Sequence, residues 1–182
     1  RGGILDIRMQ PPRKNRLKVM ILIDSGGSMR PYEQLCSLLF QSLHKANTFS
    51  DLKIYYFHNC LEQRVYEDPE VDPAKSIKTD WILRNISSEY KVILVGDAQM
   101  APYELLGGYY GRSQEEDGPK CGLDWLQRIR ERYKSSIWLN PSSRPDWGQY
   151  WSQTYDTIAN VFPMFPLTVE GLEDGMKKLL AR

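Results

Sequence analysis

The sequence contains few of the residues that build covalent cross-links or soft metal sites, with three cysteines and two histidines among 182 residues. Cys36, Cys60 and Cys121 are widely separated, odd in number and form no CxxC pair. Neither a disulfide framework nor a zinc ribbon is therefore expected. Cys36 lies in a helical apolar pattern and is expected to be a small buried hydrophobe. This cysteine usage favours a reducing, cytoplasmic setting.

Long apolar stretches and an excess of charge of one sign are also missing. The apolar stretches at residues 19–23 and 92–95 have the length of strands and are too short to cross a bilayer. Residues 1–10 have no apolar signal-peptide core, and the chain does not begin with Met, so we expect a piece of a longer protein. A formal net charge of +1 gives no overall field that would favour nucleic acid or an anionic membrane.

The sequence does contain an alternation of strand-like and helix-like segments. An apolar content of 41% and a length of 182 residues fit one globular domain. Strands are predicted at residues 17–24, 53–58, 91–97, 136–139 and 165–168. Helices are predicted from Pro31 to Asn47, from a Thr79 or Asp80 cap to Ile86, and at residues 123–133, 151–161 and 169–180. This order predicts an α/β fold with a doubly wound, mostly parallel sheet and helices on both faces, of the Rossmann-like kind.

The N-terminal region is predicted to differ from the rest. Residues 1–16 are predicted to form an edge strand, at residues 4–9, and a linker from a longer chain, and residues 17–182 to form the domain. The basic run at residues 13–18 is most simply a solvated turn. Residues 61–78, which contain two Asp-Pro pairs, are expected to be loop or edge material.

Two aspartates, Asp24 and Asp97, each follow an apolar strand. In open α/β sheets, functional groups collect beyond the carboxyl ends of the strands. If the two strands are neighbours, the carboxylates meet at the edge of the sheet formed by the carboxyl ends of the strands, here called the rim. There they raise each other's pKa unless a cation lies between them. Oxygen ligands without nearby His or Cys favour Mg²⁺, with Mn²⁺ or Ca²⁺ as alternatives. The spacing leaves open that both aspartates only cap turns or helices.

The stretch Ile23-Asp24-Ser25-Gly26-Gly27-Ser28-Met29 resembles the DxSxS motif of von Willebrand factor A domains, the first part of their metal-ion-dependent adhesion site. Thr79 matches the threonine of that site, and the Asp97 of Gly96-Asp97-Ala98 matches its later aspartate. The resemblance covers residues 17–180 in element order. It implies a module that binds a partner's Asp or Glu through a divalent cation. The implied metal ligands are Asp24, Ser28, Thr79 and Asp97, with Ser25, Gly26 and Asp80 as further contributors.

One position departs from the motif, because Gly26 stands where the family has its middle serine. The hydroxyl of Ser25 is one position early and is expected to point elsewhere. A water molecule can replace the missing ligand, since Mg²⁺ commonly keeps several waters among about six oxygens. We therefore expect a lowered affinity. A scaffold of this family with a degenerate, metal-free site is the alternative.

Within this family, several stretches are similar to CoxE-like proteins of bacteria. They are Tyr55-Tyr56-Phe57-His58-Asn59-Cys60, the eleven residues 95–105, Trp138-Leu139-Asn140-Pro141 and Met164-Phe165-Pro166-Leu167-Thr168. Such proteins usually carry this domain at the C-terminal end of a longer chain. They are associated with MoxR-type AAA+ ATPases, so the resemblance implies such an ATPase as a partner and a role in protein or metal-centre assembly.

An enzyme is a less favoured interpretation, and no catalytic residue is assigned. Asp24 as a nucleophile or metal-bound base for phosphoryl transfer would normally be followed two positions later by a second acidic residue, but Gly26 stands there. The turn also lacks the lysine of a P-loop. His58 ends a strand and is expected near the rim, without the partners of a Ser-His-Asp set.

Two loops are expected to flank the ion and to bind the partner. Residues 107–122 offer Tyr109, Tyr110 and Arg112, and residues 140–151 offer Trp147. Aromatic and arginine side chains are common interface anchors. The alternative is that the tryptophans cover the sheet edge. Basic and aromatic side chains also suit single-stranded nucleic acid, but the acidic run at residues 115–117 argues against that partner.

Overall fold

The computed structural model describes residues 17–45, 49–107 and 118–181. The strands are β1 (Lys18–Asp24), β2 (Asp51–Phe57), β3 (Arg64–Tyr66), β4 (Ser76–Lys78), β5 (Lys91–Val95), β6 (Ser136–Asn140) and β7 (Met164–Pro166). The α-helices are α1 (Glu33–Lys45), α2 (Thr79–Asn85), α3 (Pro102–Leu106), α4 (Gly122–Arg132), α5 (Gln149–Val161) and α6 (Val169–Leu180). The predicted edge strand at residues 4–9 lies outside the described residues.

The strands form one sheet in the order β4-β3-β2-β1-β5-β6-β7. β1 pairs in parallel with β2 on one side and β5 on the other, and β6 and β7 continue the parallel arrangement. β3 runs antiparallel to both of its neighbours, β2 and β4. From β1 the chain first adds β2, β3 and β4 on one side and then β5, β6 and β7 on the other, as in Rossmann-like sheets. The predicted α/β class with a mostly parallel, Rossmann-like sheet is confirmed.

Both faces of the sheet are covered by helices, as predicted. Alternate side chains of β1 point to opposite faces because strand residues alternate with a period of two. Met20 and Leu22 belong to one core cluster, which the helices complete with Ile82, Trp125, Leu126, Ile129 and Ile158. Val19, Ile21 and Ile23 belong to a second cluster, completed by Cys36, Leu39, Phe40, Leu172 and Leu179. The central strands are therefore buried on both sides, which explains their nearly continuous apolar sequence.

Cys36 packs in the second core cluster. Cys36 is 4% exposed in the second cluster and is a packing residue, as expected. All three cysteines are free in the structure. No helix within residues 17–45, 49–107 or 118–181 is long and apolar enough to cross a membrane.

Several element ends differ from the sequence prediction. The expected Thr79 or Asp80 cap of α2 is wrong: Lys78 is the N-cap, and its side chain makes no capping bond. Thr79 is instead the first helical residue, because its hydroxyl is used by the neighbouring loop. Pro31 lies in a 3-10 helix, Gly27–Tyr32, that precedes α1. The short helix α3 was not predicted.

The last strand is also shorter than predicted. β7 ends at Pro166, and Thr168 lies outside it as the N-cap of α6. The Thr168 hydroxyl accepts a hydrogen bond from the backbone N–H of Gly171 at 3.0 Å. Thr168 therefore serves the helix rather than the sheet, which is the usual preference of threonine at a helix start.

Helix α6 approaches β6 and β7 so closely that two of its positions, Gly171 and Gly175, leave little room for a side chain. A Cβ added at Gly171 would overlap the backbone carbonyl oxygen of Pro166 and lie 2.8 Å from its carbonyl carbon. A Cβ added at Gly175 would meet the terminal Cδ1 of Ile137 at 2.5 Å. Backbone cannot yield without moving the helix, whereas the end of an isoleucine can rotate.

We expect Gly171→Ala to lower the free energy of unfolding by about 2–3 kcal/mol, the usual cost of overpacking against a rigid neighbour. Gly175→Ala is the matched control, and we expect it to cost about 1 kcal/mol or less, because alanine favours the helix by about that amount over glycine. Urea unfolding monitored by circular dichroism measures both. Equal costs for the two variants would contradict the rigid contact between α6 and β7.

Candidate metal centre at the carboxyl edge of the sheet

The two strand-terminal aspartates meet because β1 and β5 are adjacent. Ile23 pairs with Val95, so Asp24 lies opposite Gly96 and one residue from Asp97 along the next strand. A Cβ on Gly96 would lie 3.2 Å from the Cβ of Asp24 and 2.9 Å from the Trp138 ring. Glycine is therefore needed here for Asp24 to approach the neighbouring strand. The Trp138 indole N–H donates to the Gly96 carbonyl at 2.8 Å, which holds the ring in this position.

Asp24 is a buried carboxylate, with 5% of its surface exposed. Burial, helped by the negative charges of Asp97 and Glu104, raises its pKa to about 7. The hydrogen bond from the Asn59 backbone N–H to Oδ1, 2.9 Å long, and the nearby His58 act in the opposite direction. The charged form of Asp24 is thus destabilised in the metal-free protein, since one amide hydrogen bond does not offset its lost hydration.

Asp97 is equally buried, with 4% exposed, in the turn that follows β5. Its Oδ1 accepts the backbone N–H of Gln99 at 3.0 Å. Two side chains hold the turn by its carbonyls: Asn140 Nδ2 donates to the Asp97 oxygen at 3.0 Å, and Thr154 Oγ1 donates to the Ala98 oxygen at 3.1 Å. Ala98 has a φ of 56°, which an L-residue adopts only when its surroundings enforce it. The Asp97 carboxylate is therefore held at the rim by contacts from β6 and α5.

The turn after β1 is held by contacts on both of its sides. The hydroxyl of Ser25 donates to the Pro69 carbonyl, so it points away from Asp97, as expected from the sequence. His58 Nδ1 donates to the Ser25 carbonyl at 2.8 Å, which confirms that His58 approaches the rim. Gly26 and Gly27 have φ values of 78° and 51°, a left-handed region that favours glycine.

The predicted hydroxyl ligands have different environments. Ser28 is exposed in the 3-10 helix that follows Gly26. Thr79 is 1% exposed; its Oγ1 donates to the Glu62 carbonyl at 2.5 Å and its N–H donates to the Gln63 carbonyl at 2.9 Å. Among the described residues, neither hydroxyl makes a hydrogen bond to Asp24 or Asp97. Thr79 is joined to Asp24 through the segment 59–63, which contacts both residues.

Asp80 turns away from the two buried aspartates. It forms ion pairs with Arg84 at 2.6 Å and with Arg128 at 3.8 Å. The structure therefore brings Asp24 and Asp97 together, whereas Thr79 contacts residues 62 and 63, and Asp80 and the hydroxyl of Ser25 are engaged elsewhere.

Sequence reasoning missed two residues that organise the site, Asn59 and Glu104. Asn59 has a φ of 58°, binds Asp24 through its backbone and donates from Nδ2 to Glu104 Oε1 at 3.1 Å. Glu104 Oε2 accepts the backbone N–H of Ala101 at 2.8 Å. Glu104 thus ties α3 to the loop that contacts Asp24. The Ala-Pro-x-Glu spacing, with glutamate at the third helical position, was the available signal, since it is typical of a helix start.

An exposed aromatic surface lies at the start of α5, beyond the carboxyl end of β6. Trp147, Tyr150 and Trp151 are 69%, 52% and 40% exposed. The Trp151 ring lies 6.5 Å from Trp147 and 5.1 Å from Tyr150, measured between centroids. A ring as exposed as Trp147 covers little of the sheet edge. The other predicted partner-binding residues, Tyr109, Tyr110 and Arg112, lie outside the described residues.

The fold and the rim together define the chain as an α/β protein of Rossmann-like type with two buried, adjacent aspartates at the carboxyl edge of its sheet. Comparison with protein-family models, with curated protein sequences and with solved structures found no match.

A divalent cation such as Mg²⁺ needs oxygen ligands around it, from side chains or water. Within the described ranges, no three His, Cys, Asp or Glu side chains are grouped at metal-binding separations. Two carboxylates with hydroxyls and water do not require such a group, because Mg²⁺ keeps several waters in most protein sites. In the described part of the chain, no lysine or arginine forms an ion pair with Asp24 or Asp97, and no hydrogen bond reaches either Oδ2. The residues present therefore fit a hard cation held partly by water.

We expect Asp24→Asn to stabilise the metal-free protein at pH 8 and to have little effect at pH 4. Because the folded-state pKa of Asp24 is raised to about 7, the wild type loses stability as the pH rises from about 4 to 7, while the variant has no proton to lose. The gain is on the order of 2–4 kcal/mol, at about 1.4 kcal/mol for each pKa unit. Urea unfolding in EDTA across this pH range measures it.

Asp174→Asn is the control for this experiment, because Asp174 is an exposed carboxylate paired only with Lys177 on its own helix within the described residues. Its effect on stability should stay within a few tenths of a kcal/mol, as for other surface ion pairs. A difference between Asp24→Asn and wild type that does not change with pH would show that Asp24 is not destabilised by its charge.

Proposed function

We propose that the chain is a von Willebrand factor A-like module whose adhesion site uses a divalent cation to bind a carboxylate of a protein partner. The observation that carries this proposal is the pair Asp24 and Asp97, buried side by side at the ends of β1 and β5 with no cationic side chain paired to them among the described residues. Two buried carboxylates without a counter-charge are costly, and a cation removes that cost.

The residues proposed to hold the metal are the two aspartates and two hydroxyls. Asp24 and Asp97 contribute charge, directly or through water, and each keeps Oδ2 for this purpose. Thr79 donates its hydroxyl proton to the Glu62 carbonyl, which leaves the lone pairs of Oγ1 available to a metal. Ser28 contributes the second hydroxyl from the exposed turn. Mg²⁺ suits this set of oxygens best, and Mn²⁺ and Ca²⁺ are alternatives.

The bound metal would act as a Lewis acid that attracts a carboxylate. Because the aspartates would act partly through water and the other proposed ligands are neutral hydroxyls and water, the ion would have few directly bound negative groups, and an Asp or Glu of the partner could replace one of its waters. Gly26 offers no hydroxyl, and its φ of 78° disfavours any side chain. The protein ligands are therefore few, which makes the partner's carboxylate a larger share of the binding energy.

The surroundings of the rim support binding rather than catalysis. The exposed rings of Trp147, Tyr150 and Trp151 offer an anchor of the kind that is common in protein interfaces. Tyr109, Tyr110 and Arg112 are proposed to contribute as well. The resemblance to bacterial CoxE-like proteins extends the proposal to a cytoplasmic partner such as a MoxR-type AAA+ ATPase and to a role in protein or metal-centre assembly.

A metal-free interaction scaffold is the second candidate. The raised pKa of Asp24 favours it, because a carboxyl that titrates at about 7 can keep its proton and avoid the repulsion from Asp97 without any metal. The two candidates differ in whether a cation or a proton neutralises the pair.

Calorimetric titration of EDTA-treated protein with Mg²⁺ and Mn²⁺ at pH 8 tests the proposal. We expect a dissociation constant in the range of about 0.1–1 mM, as for other weak oxygen sites. Asp24→Asn and Asp97→Asn should each weaken binding at least about tenfold, the effect of losing about 1.4 kcal/mol. Asp174→Asn should bind as the wild type does.

A second titration tests the carboxylate. Acetate should bind to the Mg²⁺-loaded protein and not to the EDTA-treated protein, as followed by NMR shifts of the amides of Asn59 and Gln99, which contact the two aspartates. No heat with about 10 mM metal would contradict the metal site and favour the metal-free scaffold. If the protein binds the metal but the metal-loaded protein does not bind acetate, the metal site is supported and its adhesive role is contradicted.

A further inference from the structure

A polar cavity lies beside helices α2 and α4, and neither Asp24 nor Asp97 lines it. It has a volume of about 410 Å³ and is walled by β3, β4, α2 and α4. Its charged and aromatic lining consists of Arg64, Lys78, Asp80, Arg84, Trp125 and Arg128. We refer to it as the basic cleft. A volume of this size suits a small ligand.

The basic cleft concentrates positive charge in a protein that is otherwise nearly neutral. Among the described residues that line it, four cationic side chains accompany one carboxylate, an excess of three positive charges, while the whole chain has a formal net charge of +1. Asp80 lies between two of the cations, 2.6 Å from Arg84 and 3.8 Å from Arg128. One carboxylate cannot neutralise the cluster, so the cleft attracts an anion.

Three of the four cations are oriented by other contacts. Arg64 Nη1 donates to Ser76 Oγ at 2.8 Å, and the Arg128 guanidinium stacks over the Trp125 ring at 5.7 Å from its centroid. Asp80 holds Arg84. A guanidinium has five N–H donors, so each arginine keeps donors for a ligand after these contacts. The ammonium group of Lys78 makes no ion pair or hydrogen bond within the described residues, so its charge is available to a ligand.

We propose that the basic cleft binds a phosphate or diphosphate group of a small phosphorylated molecule. Planar guanidinium groups match the oxygens of phosphate with paired hydrogen bonds, and a lysine adds a point charge. A diphosphate concentrates about three negative charges in a volume that the cleft can enclose, which matches the excess of three positive charges. An acidic peptide spreads the same charge over a longer chain.

This site is independent of the proposed metal centre. Lys78 and Asp80 flank Thr79, but their side chains line the basic cleft whereas Thr79 is buried against residues 62 and 63. Binding to the basic cleft needs no metal and no intact aspartate pair. The two sites can therefore be tested separately.

The experiment titrates EDTA-treated protein with pyrophosphate and with inorganic phosphate in low-salt buffer, by calorimetry and by NMR of the arginine side chains. We expect pyrophosphate to bind at least about tenfold more tightly than phosphate, because it contacts more of the cations. The affinity should fall as salt is added, since the contacts are partly exposed. Arg64→Gln and Arg84→Gln should each weaken pyrophosphate binding by about tenfold, as expected for a lost charge-assisted hydrogen bond.

Lys178→Gln, which removes an exposed charge on α6, is the control and should bind pyrophosphate as the wild type does. Asp24→Asn should also bind normally, which separates this site from the metal centre. No pyrophosphate binding by the wild type, or wild-type affinity in both Arg64→Gln and Arg84→Gln, would overturn the proposal. Tighter binding of a hexaglutamate peptide than of pyrophosphate would assign the cleft to an acidic protein segment instead.

Discussion

The parallel pairing of β1 with β5 is the constraint on which the rest of the structure depends. It places the ends of two strands, distant in sequence, side by side at one edge of the sheet, with Asp24 opposite Gly96 and next to Asp97. The close approach requires glycine at position 96 and is held by the Trp138 indole. Every other contact at the rim, from Asn59, Asn140 and Thr154, supports the two turns that leave these strands.

This arrangement has an electrostatic cost that a purely structural role does not explain. Asp24 lies at the end of a buried strand, and its pKa is raised to about 7 by its own burial and by the neighbouring negative charges. Folding alone would favour an uncharged residue there. Carboxylates with a raised pKa at the carboxyl edge of an open α/β sheet are typical of functional sites, because the placement of charge that function needs lowers the stability of the fold. This stability cost is the physical basis of the proposed metal centre.

The segment between β2 and α2, which includes β3 and β4, contributes to both the metal centre and the basic cleft. On one side Asn59 binds Asp24, and on the other Lys78 and Asp80 line the basic cleft. Thr79 lies between them and is buried against the same segment.

Much of the fold was predictable because it follows from local pattern. The apolar runs that became β1, β5 and β6 predicted buried parallel strands, and the helical spacing of apolar residues predicted α4, α5 and α6 within two residues at each end. The predicted ends at Thr79 and Thr168 were wrong. Each of these ends depends on which neighbouring group forms a hydrogen bond with the threonine hydroxyl, and the local sequence pattern does not identify that group.

The candidate site divides in the same way. The sequence by itself determined that Asp24 ends a buried strand, that Asp97 closely follows another, and that Gly26 and Gly27 form a turn between β1 and α1, although β5 ends at Val95 rather than at Asp97 as predicted. Only the tertiary structure decided that those strands are neighbours, that Asn59 and Glu104 support the rim, and that Asp80 faces Arg84 and Arg128 in the basic cleft. The physical reason is that strand character arises from residues within one segment, whereas pairing, burial and charge contacts join segments that are far apart in the chain.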